Sequence, residues 1–168
     1  MVVIRPAISL IGLLGLALLI AACGAEAPKL QKGQPVPAFS LVGLDGRLVS
    51  VPDGLGGQVL AVRFWADWCP FCEQEMRDLE PVYETLKPEG LEVLAINVRQ
   101  SAATAAAFVE PLGVTYPVLL DRDGAVARDY GVSGLPVTFI LDRQGRLAAR
   151  ILGESTPEIF ETLVREQL

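Results

Sequence analysis

A chain of 168 residues, 51% of them hydrophobic, is long enough for one domain with a real core. Its 20 acidic residues outnumber 14 basic ones, and this net charge of −6 argues against a nucleic-acid partner. The chain has three cysteines and no histidine, so a four-ligand Cys/His metal site is excluded within one chain, and no metal is expected.

The N-terminus carries one cation, Arg5, then an uncharged run from Ile8 to Ala22 ending Leu19-Ile20-Ala21-Ala22-Cys23-Gly24. The run is short for a membrane span and small residues precede the expected cut, so residues 1–22 read as a signal peptide. The Ile-Ala-Ala-Cys ending resembles a bacterial lipobox. That resemblance implies a lipoprotein with Cys23 as its lipidated first residue. An uncleaved N-terminal anchor is the alternative. Both readings place the rest of the chain at the extracytoplasmic face of a bacterial membrane. Residues 23–36 lack apolar periodicity and are expected to form a lipid-anchored tether, followed by a domain over residues 37–168.

Phe39 to Val51 reads as a hairpin turning at Asp45-Gly46. A Gly-rich turn over 52–57 leads into alternating elements. These are strand 58–65, helix 70–87, strand 91–98, helix 102–112, strand 116–121 and a short helix 124–130. Strand 137–142, strand 147–152 and helix 156–167 close the order. Asp142-Arg143-Gln144-Gly145 supplies a hairpin turn, and Pro157 stands at the first position of the last helix. The β-α-β run predicts an α/β fold with parallel strands, completed by an antiparallel hairpin.

The sequence Trp68-Cys69-Pro70-Phe71-Cys72 carries the chemistry. Two thiols separated by two residues can close a disulfide within one helical turn, a reversible two-electron switch. Cys72, Met76, Leu79, Tyr83 and Leu86 fall on one helical face, which places Cys72 inward. Cys69 falls just before the helix, where the positive end of the macrodipole favours an anion. Such a position lowers a thiol pKa from about 8.5 toward roughly 3.5–7.5. Cys69 is therefore expected to be the exposed attacking thiol and Cys72 the buried resolving thiol. A static disulfide is the bland alternative, but so short a loop yields little entropic stabilisation.

The stretch Phe64-Trp65-Ala66-Asp67-Trp68-Cys69-Pro70-Phe71-Cys72 resembles the active-site segment of thioredoxin-fold proteins. From Gly33 onward the chain resembles more closely the membrane-anchored TlpA/ResA-like group of the AhpC/TSA redoxins, which includes the CcmG proteins of cytochrome c maturation. Gly33-Gln34-Pro35-Val36-Pro37-Ala38-Phe39, the turn Leu44-Asp45-Gly46-Arg47, Glu75, and Gly131-Val132-Ser133-Gly134-Leu135-Pro136-Val137-Thr138-Phe139 carry that likeness. The resemblance implies a thioredoxin-like fold with an N-terminal hairpin and a helix-strand insertion at about 102–121. It implies a cis bond before Pro136 and substrate contact by Trp68, Pro70, Leu135 and Pro136. Glu75 would tune the cysteine pair and carry protons. No cofactor is expected beyond the redox-active cysteines. The implied partners are protein disulfide substrates such as apocytochrome c and a membrane thiol-electron donor. Acidic neighbours Asp67 and Glu75 disfavour a thiolate and so favour a reductant.

Two residues depart from the pattern. Arg63 stands where thioredoxins have an acidic residue. It either points outward from its strand or pairs with a carboxylate, for which Glu75 is the candidate. Arg77 replaces a helix-kinking proline, and Pro81 moves any kink one turn on. Two other functions compete. A thiol peroxidase would use Cys69, but Ala66 stands where peroxiredoxins place a Thr. A metal or haem delivery protein is the other, but copper carriers with a Cys pair usually need a distant His, which the chain lacks.

Overall fold

The computed structural model describes residues 30–53 and 56–168. The expected signal peptide over residues 1–22 and the expected lipidation site at Cys23 lie outside the described residues. Among those described, no helix is long and apolar enough to cross a membrane.

Strands β1 (Phe39–Val42) and β2 (Leu48–Val51) form the expected antiparallel hairpin. The main sheet holds β3 (Val59–Trp65), β4 (Leu91–Val98), β5 (Val118–Asp121), β6 (Val137–Leu141) and β7 (Leu147–Leu152), in the order β5-β4-β3-β6-β7. The pairs β3–β4 and β4–β5 are parallel, whereas β6 and β7 are antiparallel additions. Helices are α1 (Cys72–Leu86), α2 (Ala102–Val109), α3 (Ala125–Asp129) and α4 (Pro157–Arg165). The insertion α2–β5 extends the sheet at one edge, with Ala95 opposite Val118.

All seven residues of β3 are buried, because this central strand is covered on both faces. Side chains alternate between two cores. Val59, Ala61 and Trp65 join Met76, Leu79 and Tyr83 of α1 and Phe160 and Val164 of α4. Leu60, Val62 and Phe64 join Val126, Ala127 and Tyr130 from the α3 segment and Phe39 of the hairpin. This parity settles Arg63. It shares the row of Ala61 and Trp65, so it faces α1 and not solvent.

Helix ends follow local chemistry. A turn closed by the Cys72 N–H on the Cys69 carbonyl precedes α1, which delays the helix start from the expected residue 70 to Cys72. Pro81 lies inside α1 and the helix runs through it. Ser101 caps α2 by accepting from the Thr104 N–H, and Thr156 caps α4 by accepting from Ile159. Pro111 then tightens the end of α2 into a short 3-10 turn over Glu110–Leu112.

The folded unit begins before residue 37. The Gly33 N–H donates to the Leu147 carbonyl at 2.7 Å, and the Leu147 N–H returns a bond to Gln34 at 2.9 Å. Pro35 bridges Arg146, and Val36 is buried. Residues 33–36 thus line the edge of β7 and do not belong to a tether. Their polar and Pro/Gly-rich composition gives no periodicity because this segment binds through its backbone.

Candidate active site

Cys69 and Cys72 are joined in a disulfide, with Cα atoms 5.4 Å apart. Cys72 is the first residue of α1 and Cys69 lies in the turn before it. Phe64 pairs with Val137, so the turn after β3 and the Leu135-Pro136 segment before β6 lie at the same end of the sheet. The Leu135–Pro136 peptide bond is cis, as the resemblance implies. A second cis bond, Val51–Pro52, lies in the hairpin's exit and was not foreseen. Leu135 packs against the core cluster that contains both cysteines.

One expectation is corrected. Cys69 is 2% exposed and Cys72 is fully buried, so neither residue is exposed in the oxidised protein. Cys69 lies with Cys72 in the apolar cluster packed against α1. Exposure belongs instead to the flanking apolar residues. Trp68 is 67% exposed and Phe71 49%. Leu152, paired with Val137 on β7, is also exposed at this end of the sheet. Pro70 is exposed and Pro136 is buried.

Beneath the pair lies a buried charged cluster. The Arg63 guanidinium grips Glu75 in a fork, Nη1 to Oε1 at 2.8 Å and Nη2 to Oε2 at 2.6 Å. Nη1 also donates to Thr138 Oγ1 at 3.1 Å, across the β3–β6 pair. The Ser155 hydroxyl donates to Glu75 Oε1 at 3.0 Å. Both ionic residues are almost wholly buried. Arg63 Nε has no partner among the described residues. The outward-facing alternative for Arg63 is thereby overturned, since burying an unpaired guanidinium would be far costlier than pairing it. Nearby, burial holds the Tyr116 hydroxyl well above the usual tyrosine range. Arg63 pulls it partly back, while Glu80 and Glu75 push further up.

The loop carrying Trp68 is braced by Gln100. Its side-chain carbonyl accepts from the Asp67 N–H at 3.0 Å and from Asn97 Nδ2 at 2.7 Å, and its amide donates to the Asp67 carboxylate. Sequence reasoning missed Gln100, Thr138 and Ser155. They converge from separate elements, so no spacing along the chain signals them. Among the described residues no cluster of His, Cys, Asp and Glu could hold a metal.

A cysteine pair at a helix start, set on this sheet beside a cis proline, defines a thioredoxin-fold oxidoreductase. The chain belongs to the AhpC/TSA family, whose model matches residues 32–150. It is 31% identical over 142 residues to the thiol-disulfide oxidoreductase ResA of Bacillus thuringiensis strain Al Hakam, covering 84% of this chain and 82% of that protein. To ResA of Bacillus subtilis strain 168 it is 32% identical over 131 residues, or 78% of this chain and 73% of the other. Among solved structures, a Chlorobium tepidum protein provisionally assigned as thiol:disulfide interchange protein DsbE superposes with a TM-score of 0.78 at 30% identity. The match covers 83% of this chain and 99% of that one. A DsbF homologue from Corynebacterium diphtheriae gives a TM-score of 0.72 at 31% identity, over 87% and 96%. The chain is accordingly a thiol–disulfide oxidoreductase acting through its Cys-x-x-Cys pair.

Proposed function

We propose that this protein is held at the extracytoplasmic face of a bacterial membrane and reduces disulfides in exported proteins, apocytochrome c among them. The observation that carries the reading is the disulfide at the start of α1 within a rim of exposed apolar side chains, Trp68, Phe71 and Leu152. Such a rim suits an extended apolar protein segment better than a small solute.

In the reducing direction Cys69 attacks one sulfur of the substrate disulfide as a thiolate. A mixed disulfide forms, and the first substrate thiolate leaves. Cys72 then attacks the Cys69 sulfur, the mixed disulfide breaks, and the second substrate thiolate leaves. The substrate gains two electrons and the protein ends as the Cys69–Cys72 disulfide. A membrane thiol donor must reverse that oxidation before the next turnover. Trp68, Pro70, Leu135 and Pro136 border the reacting sulfurs and contact the substrate.

The role expected of Glu75 changes. Both its oxygens are engaged by Arg63, and taking up the Cys72 proton would break that fork. We assign Glu75 as a positioning residue that fixes the start of α1 through Arg63, Thr138 and Ser155. Its charge is also offset by Arg63, so the reducing direction rests more on Asp67 than on Glu75.

The lipid anchor at Cys23 is supported by the Leu19-Ile20-Ala21-Ala22-Cys23 ending of the apolar run. Mass spectrometry of the mature N-terminus should show diacylated or triacylated Cys23. An intact Met1 would support the uncleaved anchor instead. The substrate is tested with a Cys72→Ser variant, which should accumulate mixed disulfides through Cys69. Capture of exported disulfide proteins supports the reading, and turnover of peroxide by the parent without such capture would overturn it in favour of a thiol peroxidase.

A further inference from the structure

Beside the disulfide lies a cleft of about 220 Å³ whose lining includes Trp68, Val132, Leu135 and Ala127. Trp68 precedes Cys69 in the chain and Leu135 packs against the cluster that holds both cysteines, so the cleft continues the active-site rim along one side. Its two charged lining residues are both cations, Arg99 and Arg128, in a protein of net charge −6. Among the described residues no acidic side chain lines it.

Neither arginine is neutralised by a salt bridge among the described residues. Asp129, next to Arg128 in the chain, neither pairs with it among the described residues nor lines the cleft, and two other nearby carboxylates are occupied. Asp121 accepts from the backbone of Val126 and Ala127, and Asp123 accepts from Ala125. Arg128 is steadied by donating to the Asp123 carbonyl at 2.8 Å. Arg99 has φ +58°, and it is the one non-glycine residue with positive φ among those described. A non-glycine residue in this conformation costs about 1–2 kcal/mol and persists only when its surroundings impose it. Gly124 is part of that surrounding, since a Cβ there would collide with the Arg99 side chain. The backbone and the missing Cβ together lay a guanidinium along the cleft wall.

We propose that Arg99 and Arg128 set the specificity of this cleft, making it prefer substrate segments that carry acidic side chains beside the reacting cysteine. The inference rests on the reading of Cys69–Cys72 as the exchange centre for protein disulfides. Apolar side chains of the segment lie against Val132, Leu135 and Trp68. Its carboxylates meet the two guanidinium groups, which match carboxylate geometry in a planar fork.

The test uses the reduced full chain and a set of synthetic peptides, each closed by one internal disulfide and differing only in the residues beside one cysteine. One peptide carries Asp and Glu there, one Asn and Gln, and one Lys and Arg. The readout is the rate of peptide reduction. At low salt the acidic peptide should react about fivefold faster than the neutral one, as expected for two partly exposed ion pairs, and the basic peptide slower. The acidic-to-neutral ratio should approach one at about 1 M salt, where the screening length is about 3 Å. It should also approach one in an Arg99→Gln/Arg128→Gln variant, and stay well above one in Arg99→Lys/Arg128→Lys. Equal rates in the parent, or a ratio that survives loss of both charges, would overturn the subsite. Failure to reduce any of the peptides would instead strike the exchange reading beneath it.

Discussion

Replacing Arg63 with Met removes both donors of the fork that holds Glu75. The carboxylate would keep the Ser155 hydroxyl at 3.0 Å but remain in a site only 3% exposed. Breaking a buried pair from one side costs about 3–5 kcal/mol, because the remaining charge stays desolvated. Total stability of a natural domain is about 5–15 kcal/mol, so the variant should lose a large share of it. Replacing both partners together, Arg63→Met with Glu75→Leu, removes the charges along with their desolvation. That double variant should fall within about 1 kcal/mol of the parent or exceed it. Urea unfolding of the oxidised proteins measures all four corners of the cycle, provided their m values agree. A loss below about 1 kcal/mol in Arg63→Met would refute the reasoning, since a desolvated lone carboxylate cannot be that well tolerated. A double variant as unstable as the two singles combined would refute it equally, because the pair would then contribute packing and not compensated charge.

The tyrosines offer a pH test. Burial holds the hydroxyls of Tyr83, Tyr116 and Tyr130 above the usual range, and a hydrogen bond to Glu92 adds to the rise at Tyr83. The chain has three tyrosines, so the folded protein should show no phenolate absorbance near pH 10, where the urea-unfolded chain titrates. Folded pKa values above the unfolded ones mean that this stability is full below about pH 10 and fades as pH rises further. A normal tyrosine titration in the native protein would sink the prediction. In the reduced protein, alkylation should label Cys69 before Cys72, because Cys69 lies just before the positive end of α1 while Cys72 is on that helix's inward face. Faster labelling of Cys72 would reverse their roles. Glu75→Gln should shift the equilibrium with glutathione toward the dithiol, since it leaves a net positive charge one helical turn from Cys72. An unchanged equilibrium would detach Glu75 from the redox pair.

The strands were legible where pattern and burial agree. The expected ranges 91–98 and 147–152 match β4 and β7 to the residue. The helix start slipped from 70 to 72 because the Cys69–Cys72 turn competes with the first helical bonds. The cysteine pair was readable from spacing, whereas the cis bond before Pro136 entered only through family resemblance. Arg63 was ambiguous for a physical reason. Alternation assigns faces on a strand with one wet side, but β3 has none, so neither parity means solvent. The companions Thr138, Ser155 and Gln100 come from distant parts of the chain, and their meeting depends on sheet register that a single sequence does not print. Arg99 was invisible for the same reason, since its role depends on a backbone angle and on the bare glycine opposite.

The strap over residues 33–36 has a practical consequence for anyone cutting this chain. A five-stranded sheet has two open rims, and each is an invitation to pair with a second molecule. Here one N-terminal stretch guards both. Gly33 and Gln34 lie along β7, while Gly43 bridges Leu119 and the Leu44 N–H bonds the Val118 carbonyl on β5. A soluble fragment begun at residue 37, where composition suggests the domain starts, would strip the guard from β7 and leave a sticky margin. A fragment begun at Leu30 keeps it. The guard on β7 cannot close until Leu147 is in place, because Gly33 donates to its carbonyl.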